Sequence, residues 1–384
     1  MRQADVVVVG GGVLGTFHAY FAARRGLKTL LLERNSMPND ASTRNFGMIV
    51  QTIVPATGEW AGYARATREV YREIQRKRDI SVRVSGSIYV ASTPQEDAVL
   101  REYAARAPEG VACSYLDGDK AVERYPFIKK SYCRGVLYSP DDMTLNPCVM
   151  LDRVIPYVVE TAGVEYVPRT TVVSITAHGS TCTVEDASGE RYDAGTVIVC
   201  TGADYKTLYP HLFRASGLRV CKLQMMETKP QLGLTLPHAI LSGLSIQRYP
   251  GFEECPSYAA LRDQPVAQEL SDYGIHLLFK QAPDGGVIVG DSHEYSDCAD
   301  SDVSLDERTT CAINDAVLDY GKTMLDLPTW EMASLWNGYY LQHPDKQIYT
   351  KTVDRGVHVV TGIAGKGMST GAGYAKAHIA ALFG

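Results

Sequence analysis

The stretch Val6-Val7-Val8-Val9-Gly10-Gly11-Gly12-Val13-Leu14-Gly15, near the amino terminus, decides the fold class of this chain. Its four valines predict a short buried strand, and the residues that follow the glycines, to about Arg25, predict a helix. Gly26 ends that helix, and the apolar run from Lys28 to Leu32 predicts a second buried strand. A strand, a glycine-rich turn, a helix and a strand in this order are typical of a β-α-β unit.

The glycines of this unit have the spacing G-x-G-x-x-G of a dinucleotide-binding turn. Gly10 allows the tight turn, Gly12 lets backbone amides approach a pyrophosphate, and Gly15 lets the helix pack closely on the strand. The helix N-terminus offers donors and partial positive charge to the phosphates. Glu33, at the end of the second strand, is placed to accept hydrogen bonds from both ribose hydroxyls. The fingerprint alone does not distinguish FAD from NAD, and a glycine-rich turn without a dinucleotide is the alternative.

The length and charge of the chain limit its class. Its 384 residues exceed one simple core and predict two domains, which can be interleaved. The content of 45% hydrophobic and 21% charged residues is that of an ordinary globular protein. A formal net charge of −6 argues against a nucleic-acid partner, which requires a basic surface. A local basic pocket for an anionic substrate is compatible with that net charge.

The nine cysteines are scattered, odd in number and without a C-x-x-C pair, so we predict neither a metal site nor a redox dithiol. A reduced, cytoplasmic protein is the simplest interpretation. Asp5 directly precedes the first apolar run, where a signal peptide would carry basic residues. The apolar stretches are too short to predict a membrane span.

The rest of the chain alternates between helical and strand patterns. Helices are predicted near 59–78, 95–106 and 305–325, and another begins at Asn146-Pro147. From 219 to 290 the pattern is strand-rich, and the carboxyl-terminal end returns to a strand, a glycine-rich segment and a helix. The two ends are therefore expected to form one domain that a second domain interrupts.

Three further motifs accompany the fingerprint: Ala41-Ser42-Thr43-Arg44-Asn45-Phe46-Gly47-Met48, Thr201-Gly202-Ala203 and Gly362-Ile363-Ala364-Gly365-Lys366-Gly367-Met368. Their order resembles that of the D-amino acid oxidase superfamily of flavoproteins, which includes glycine and sarcosine oxidases. The resemblance covers the whole chain. It implies an FAD-dependent enzyme that transfers a hydride from a small amine to flavin N5, after which water hydrolyses the imine.

This resemblance also fixes the expected architecture. We predict an α/β fold in which a Rossmann-like FAD-binding domain of the glutathione reductase type interleaves with an α+β substrate domain built on an antiparallel sheet. The FAD-binding domain is expected to comprise residues 1–80, 140–215 and 330–384. The substrate domain is expected to comprise residues 81–139 and 216–329.

The resemblance assigns cofactor contacts to the motif residues. Ser42 and Thr43 would lie at the pyrophosphate, Val173 would frame the adenine, and Lys366 would stabilise negative charge on the reduced flavin. A solvated loop lysine is the alternative for Lys366. The full expected set is Gly10, Gly12, Val13, Leu14, Gly15, Glu33, Arg34, Ser42, Thr43, Arg44, Asn45, Phe46, Gly47, Met48, Val173, Thr201, Gly202, Gly338, Gly362, Gly365, Lys366, Gly367 and Met368.

A narrower resemblance rests on five segments: 44–49, 221–226, 273–276, 290–295 and 336–339. Together they are similar to FAD-dependent oxidoreductases associated with bacterial aminophosphonate breakdown. This implies oxidation of 2-aminoethylphosphonate or its N-methyl derivative to phosphonoacetaldehyde, with release of ammonia or methylamine and with O2 as acceptor giving H2O2. The alternatives are a glycine, sarcosine or D-amino acid oxidase, a flavoprotein dehydrogenase with another acceptor, and a non-catalytic FAD-binding subunit.

Three positions depart from the better-known relatives. Tyr340 stands where glycine oxidase has an arginine that clamps the substrate carboxylate, and a neutral phenol is a poor substitute. Trp336–Pro344 contains no cysteine to bond the flavin as in monomeric sarcosine oxidase, so FAD is expected to be non-covalent. Ile288 stands where sarcosine oxidases have a lysine that promotes reaction with oxygen, which places O2 as acceptor in question.

The expected substrate site combines cations, histidines and a tyrosine. His276, His293 and Tyr340 are the candidate catalytic residues, and these three are also expected to bind substrate. The other candidate substrate-binding residues are Arg44, Met48 and Lys222. The alternatives are an edge position for Lys222, a core position for His276 and a purely flavin-positioning role for Arg44. For His293 the alternative is a capped loop histidine, and for Tyr340 it is a core aromatic. The sequence does not predict the oligomeric state.

Overall fold

The computed structural model describes residues 2–108, 110–300, 305 and 307–384. The strands in these residues are β1 (Arg2–Val9), β2 (Thr29–Leu32), β3 (Met48–Ile49), β4 (Ser87–Ala91), β5 (Ser114–Asp117), β6 (Gly135–Ser139), β7 (Met143–Thr144), β8 (Glu165–Val167), β9 (Val172–His178), β10 (Thr181–Asp186), β11 (Arg191–Val199), β12 (Arg219–Thr228), β13 (Ala239–Leu241), β14 (Leu278–Gln281), β15 (Val287–Gly290), β16 (Glu294–Asp297), β17 (Met332–Gln342), β18 (Tyr349–Asp354) and β19 (Val357–Thr361). The helices are α1 (Val13–Ala23), α2 (Gly58–Lys77), α3 (Pro94–Ala105), α4 (Gly118–Arg124), α5 (Pro147–Ala162), α6 (Pro210–Arg214), α7 (Gly243–Arg248), α8 (Tyr258–Arg262), α9 (Gln268–Asp272), α10 (Cys311–Met324) and α11 (Gly367–Phe383).

The first sheet is built around the β-α-β unit. Strands β8, β2, β1, β11 and β19 lie side by side and parallel, and β18 pairs antiparallel at the β19 edge. The valines of β1 alternate between its two faces. Val6 and Val8 pack with α1, α2, α5 and α11, whereas Val7 and Val9 pack toward the β9–β10 hairpin. Both faces of the sheet are therefore covered, which explains the continuous apolar run in β1.

The second sheet has nine strands, of which eight follow the order β16-β12-β15-β14-β13-β4-β6-β5, while β17 pairs with β12. Its pairs are antiparallel except for β13 and β4. One face packs against α4 and α10. The other face packs against α3, α7 and α8, together with Phe46, Met48 and Val50 of the segment that follows β2. This second face therefore meets the first sheet's loops.

The mixed α/β fold that the sequence predicts is confirmed. Two boundaries differ. The segment from 219 to 290 contains the short helices α7, α8 and α9 as well as strands. These helices have only five or six residues, too few for a helical period to be visible in the sequence. The last long helix before β17 begins at Cys311 instead of Leu305, and residue 306 of the expected first turn lies outside the described residues.

Residues 332–342 are a correction to the expected domain division. They form β17, which pairs with β12 from Arg219 to Thr228 and thus belongs to the second sheet, although 330–384 was assigned to the FAD-binding domain. The rest of that division stays a prediction. None of the helices in the described ranges is long and apolar enough to cross a membrane.

Candidate functional site

Two adjoining cavities lie where the parallel strands of the first sheet end. Gly10 follows β1, Glu33 follows β2 and Cys200 follows β11, so their carboxyl ends open on the same edge. The larger cavity measures about 400 Å³ and the smaller about 90 Å³. They share the walls Gly12, Ala41, Ser42, Cys200 and Gly202. One elongated site therefore runs past the N-terminus of α1, the usual place for a dinucleotide in such sheets.

The glycine turn has the close contacts that the fingerprint requires. Gly10 has φ +99°, and a Cβ there would lie 2.4 Å from the carbonyl oxygen of Cys200. A Cβ on Gly15 would lie 1.8 Å from the carbonyl oxygen of Gly10, so Gly15 brings α1 against the turn and lines neither cavity. At Gly12 a Cβ would meet only the Ser42 hydroxyl, at 3.1 Å, within the shared wall. The open space beside Gly12 fits a pyrophosphate.

The smaller cavity contains a carboxylate placed to bind the ribose of an adenosine. Glu33 is only 5% exposed and lines it, with one carboxylate oxygen accepting from the Gly11 amide at 2.7 Å and the other from the Asn35 amide at 2.9 Å. These two bonds fix the carboxylate and leave it further acceptor capacity for ribose hydroxyls. Arg34 also lines the cavity and pairs with Asp40 and Asp204.

The larger cavity is bounded on one side by segments 44–48 and 362–368. Gly47 has φ +75°, and a Cβ there would lie 2.4 Å from the carbonyl oxygen of Leu145, so only glycine fits this close approach. Lys366 precedes the first residue of α11 and is almost fully buried, and burial lowers its pKa to about 8. A cation and a helix N-terminus thus face the same region, where they would stabilise negative charge.

The opposite wall carries a second cation, Arg248, at the end of α7. Its guanidinium is accessible from the cavity and donates to the Tyr295 hydroxyl at 3.1 Å. Burial opposes its charge, but Tyr295, Tyr340 and Asp291 more than offset this and raise the Arg248 pKa. Arg248 is therefore a permanent positive charge that an anionic ligand in the cavity can reach.

Asp291 lies beside two histidines in this wall. Its Oδ1 is 3.3 Å from His276 Nδ1, and its Oδ2 is 3.8 Å from His293 Nε2. Burial raises the pKa of Asp291 to about 7, against the lowering effect of Arg248. Burial and Arg248 both hold the pKa of each histidine well below its usual range, so the imidazoles are neutral.

The donor atoms of His276, Asp291 and His293 all lie within 4.8 Å of one another, close enough to share one cationic ligand. The fixed charge of Arg248 opposes a divalent ion at this place. An ammonium carries a single charge and hydrogens of its own, and so suits the cluster better. We therefore assign no metal to it.

Tyr340 of β17 closes the cavity between the two walls. Its ring centroid is 6.5 Å from that of His293, and a Cβ on Gly365 would lie 3.6 Å from its hydroxyl. Burial raises the pKa of Tyr340 well above its usual range, so the phenol stays neutral. Tyr340 is thus a neutral hydrogen-bonding group next to both the glycine-rich loop and the histidines.

The family model for DAO, described as FAD dependent oxidoreductase, matches residues 5–382. The chain belongs to this family. FAD is therefore its cofactor, and the continuous cavity past Gly12 and the buried carboxylate of Glu33 fit that molecule.

Individual relatives are distant. A glycine oxidase from Geobacillus kaustophilus is 28% identical over 210 residues, 53% of this chain and 55% of that protein. A monomeric sarcosine oxidase from a Bacillus species is 25% identical over 203 residues, 52% of this chain and 51% of that protein. The matches thus span about half the length of these relatives. The crystal structure of the G. kaustophilus glycine oxidase has a TM-score of 0.77 at 18% identity, covering 100% of this chain and 95% of that one, which shows the fold.

Most cofactor residues expected from the DAO-family resemblance line the two cavities. Those in the larger cavity are Gly12, Val13, Leu14, Ser42, Arg44, Asn45, Phe46, Gly47, Met48, Gly202, Gly338, Gly362, Gly365, Lys366, Gly367 and Met368. Those in the smaller cavity are Gly10, Gly12, Glu33, Arg34, Ser42, Thr201 and Gly202. Their contacts with FAD stay predictions.

Besides Gly15, which lines neither cavity, three expected site residues have side chains that point elsewhere. Val173 is 44% exposed on the outer face of β9, and its neighbour Val172 lines the smaller cavity instead, because successive strand residues face opposite sides. Thr43 donates to the Asp40 carbonyl at 3.0 Å and lines neither cavity. Lys222 is 2% exposed, donates to the Arg308 carbonyl at 3.0 Å and lies 3.3 Å from Glu294.

The register of β12 explains the error at Lys222. Leu223, the next residue, lines the larger cavity, so Lys222 lies on the opposite face of the same strand. Of the other expected substrate residues, Arg44, Met48, His276, His293 and Tyr340 all line that cavity. Arg44 is partly engaged, since its Nε donates to the Asn39 carbonyl at 2.8 Å.

Arg248 and Asp291 were not among the expected site residues. Arg248 lies in one of the short helices that the sequence pattern did not reveal, and no motif marks it. Asp291 did carry a signal, because it follows Gly290 at the end of β15 and precedes His293 by two residues. A carboxylate in an apolar strand context requires a partner, and that argument would have identified it.

Proposed function

We propose that this protein is an FAD-dependent oxidoreductase that oxidises a small amine with an anionic group at its other end. The observation that carries this proposal is the wall of the larger cavity that faces segments 44–48 and 362–368. There Arg248 offers a fixed cation, and Asp291 with two histidines offers hydrogen-bond acceptors. A short zwitterionic molecule matches both ends of this wall.

The substrate that we propose is 2-aminoethylphosphonate or its N-methyl derivative. The products are phosphonoacetaldehyde and ammonia or methylamine. A phosphonate dianion requires several cations or donors, because one partner does not compensate for its desolvation. Arg248, Arg44 and Lys366 line the same cavity, and Tyr340 adds a hydroxyl. The sequence segments similar to aminophosphonate-linked enzymes support the same choice.

The residues of this chain bind and orient the substrate, while the cofactor supplies the redox chemistry. FAD, when bound, accepts the hydride that leaves the amine-bearing carbon. Arg248 holds the anionic end, and the cluster of Asp291, His276 and His293 holds the nitrogen, so the carbon between them is directed toward the cofactor loops. Tyr340 restricts the space above it. Water then hydrolyses the imine to the aldehyde and the amine.

An amino acid oxidase is the second candidate, and Arg248 favours it. The argument against a carboxylate substrate relied on the missing arginine at Tyr340, but Arg248 places a guanidinium in the same cavity from another segment. Guanidinium binds carboxylate and phosphonate alike. Glycine, sarcosine and D-alanine are therefore necessary comparisons.

We propose O2 as electron acceptor, giving H2O2, and a non-oxygen acceptor is the alternative.

Anaerobic bleaching of the flavin tests the proposal directly. The holoenzyme is mixed with 2-aminoethylphosphonate, its N-methyl form, glycine, sarcosine, D-alanine or propylamine, and flavin absorbance is followed by stopped flow. We expect the two phosphonates to reduce the flavin at least tenfold faster than the others. Equal or faster reduction by glycine, sarcosine or D-alanine would establish the amino acid oxidase, and no reduction by any amine would refute amine oxidation.

Exposure of the reduced enzyme to air identifies the acceptor. Rapid reoxidation with stoichiometric H2O2 supports oxidase function, and reoxidation over many minutes supports a dehydrogenase.

The cellular compartment is a separate proposal. All nine cysteines are free thiols, which supports a reducing environment such as the cytoplasm.

A further inference from the structure

We propose that Asp291 is the base that takes the proton from the substrate's ammonium group before oxidation. This inference rests on the proposed function, since it assumes an amine substrate in the larger cavity. An alkylammonium has no lone pair and resists loss of a hydride from its carbon, so the bound amine must first become neutral. A substrate that binds as the ammonium, its main form at neutral pH, therefore requires an acceptor for that proton in the cavity.

The hydrogen bonding of His293 points to Asp291 as the acceptor. Nδ1 of His293 lies 3.1 Å from the carbonyl oxygen of Gly274, and a carbonyl can only accept, so Nδ1 carries the hydrogen. In the neutral imidazole Nε2 then has a lone pair, and it faces Oδ2 of Asp291 at 3.8 Å. When Asp291 is ionised, these two atoms are both acceptors, and a donor between them is required. The ammonium of a substrate is such a donor.

The other side of Asp291 also lacks a hydrogen bond. Neither Asp291 Oδ1 nor His276 Nδ1 has a hydrogen-bond partner among the described residues, although the two atoms are only 3.3 Å apart. Both are buried, and buried polar atoms are normally satisfied. Both residues line the cavity, so a ligand can supply the missing hydrogen bonds. The wall is therefore incomplete without a donating ligand.

The surrounding charges favour transfer of the proton to Asp291. The groups that act on its carboxyl are His276, His293, Arg248, Tyr249 and Cys221. Only Arg248 is positively charged among them, and an anionic substrate group would offset that charge. Burial then favours the neutral acid and neutral amine over the carboxylate and ammonium. The pKa of Asp291, raised to about 7, leaves the carboxylate available above neutral pH.

The step is balanced in atoms and charge. One N–H bond of the ammonium breaks, one O–H bond forms on Asp291, and the nitrogen keeps its electron pair. That pair then forms the C=N bond as the hydride leaves the adjacent carbon. Asp291 returns its proton to solvent after the product leaves. Asp291 thus touches the substrate, whereas His293 positions the nitrogen beside it.

Flavin reduction by 2-aminoethylphosphonate in wild type and Asp291→Asn, followed from pH 6 to 10, tests this role. In Asp291→Asn only substrate already deprotonated in solution reacts. Its rate at pH 7.5 should fall roughly 100- to 1,000-fold, the deficit of free amine for a pKa near 10.4. The rate should recover about tenfold per pH unit as the solution pH rises. In wild type we expect an acid limb near pH 7 instead.

Two measurements separate a catalytic role from a structural one. Asp291→Asn should keep its FAD content and its affinity for ethylphosphonate, which has no amine. Asp142→Asn is the matched control, because Asp142 is a buried carboxyl with a pKa raised to about 6 by burial, and it does not line the larger cavity. That variant should keep the wild-type pH profile.

Several outcomes would overturn the inference. Wild-type rates in Asp291→Asn at pH 7.5, or an equal loss at every pH, would exclude proton transfer to this carboxyl. A stoichiometric divalent metal that is present in wild type and lost in the variant would also overturn it. If Asp291→Asn does not fold, a wild-type profile that lacks the limb near pH 7 would refute the role. If no amine reduces the wild-type flavin, the proposed function fails as well.

Discussion

Lys280 of β14 lies directly opposite Ile288 of β15 in the antiparallel ladder. The lysine is buried, and its side-chain nitrogen donates to the carbonyl oxygens of Phe46 at 2.6 Å and Leu145 at 2.7 Å. Ile288 is the position where the resemblance expects a lysine. A buried amine therefore does occur in this part of the molecule, one strand away. It lies directly behind Gly47, which lines the larger cavity.

Replacing Lys280 by methionine should lower the free energy of unfolding and weaken FAD retention. The substitution leaves two buried carbonyls without donors, at about 1–3 kcal/mol each. Both carbonyls belong to backbone around Gly47, so their displacement would disturb the cavity floor. Denaturant unfolding and the flavin-to-protein ratio measure the two effects. The matched control is Lys322→Met, an exposed lysine on α10, which should change neither quantity.

The contribution of Lys280 to stability should depend on pH. Burial lowers its folded-state pKa to about 7, below the unfolded value of about 10.4. The unfolded chain therefore binds more protons between these values, and this lysine's contribution to the unfolding free energy rises with pH there, by up to about 1.4 kcal/mol per unit. The stability difference between wild type and Lys280→Met should grow from pH 7 to pH 10. A constant difference would show that the buried amine keeps an ordinary pKa.

Gly12→Val should abolish FAD binding while the chain still folds. The Cβ at this position meets only the Ser42 hydroxyl, so the added carbons would extend into the wall that the two cavities share. That space is needed for the pyrophosphate. Absorbance at flavin wavelengths and circular dichroism check the two parts. A folded Gly12→Val protein with full flavin content would contradict the placement of the cofactor.

The β-α-β unit could be predicted because its signals are local. Gly10 and Gly15 contact backbone within a few residues or in the neighbouring strand, and the valines of β1 mark a buried strand directly. The opposite wall of the larger cavity, which carries Arg248 and Asp291, could not be predicted in the same way. Arg248 and Asp291 are 43 positions apart in the numbering, and only the packing of α7 against the second sheet brings them into one cavity.

Strand residues were predicted less well because a one-residue shift reverses their direction. Lys222 and Val173 were assigned to the site from motif position alone. Their neighbours Leu223 and Val172 face the cavities instead. The sequence shows the alternation but does not state which face meets the cofactor. That choice follows from the pairing of β12 with β17 and of β9 with β10.

FAD should be released intact by acid precipitation. Cys200 is the cysteine that lines both cavities, and it lies beside Gly10 at the dinucleotide turn, away from the wall that holds Arg248. Cys221 is buried on β12 and lines neither cavity. The supernatant should therefore contain FAD that comigrates with a standard in chromatography. Yellow colour that remains in the protein pellet would instead demonstrate a covalent link.

Arg248→Met should separate anionic from neutral amines. Loss of a charge-assisted hydrogen bond is worth about 1.5–3 kcal/mol, so kcat/KM for 2-aminoethylphosphonate should fall roughly 10- to 150-fold. The value for propylamine should change much less, because it has no anionic group to place beside the guanidinium. Lys222→Met is the control for loss of a cation on the opposite face of the second sheet. It should alter stability but keep the ratio of the two kcat/KM values.

Arg44→Met tests the alternative that the anionic end of the substrate binds Arg44 instead of Arg248. Arg44 lies on the cofactor side of the cavity and is held by the Asn39 carbonyl, so its loss should reduce flavin retention more than substrate preference. If Arg44→Met removed the preference for the phosphonate and Arg248→Met did not, the anionic end would bind on the cofactor side, and the assignment of the two walls would be reversed.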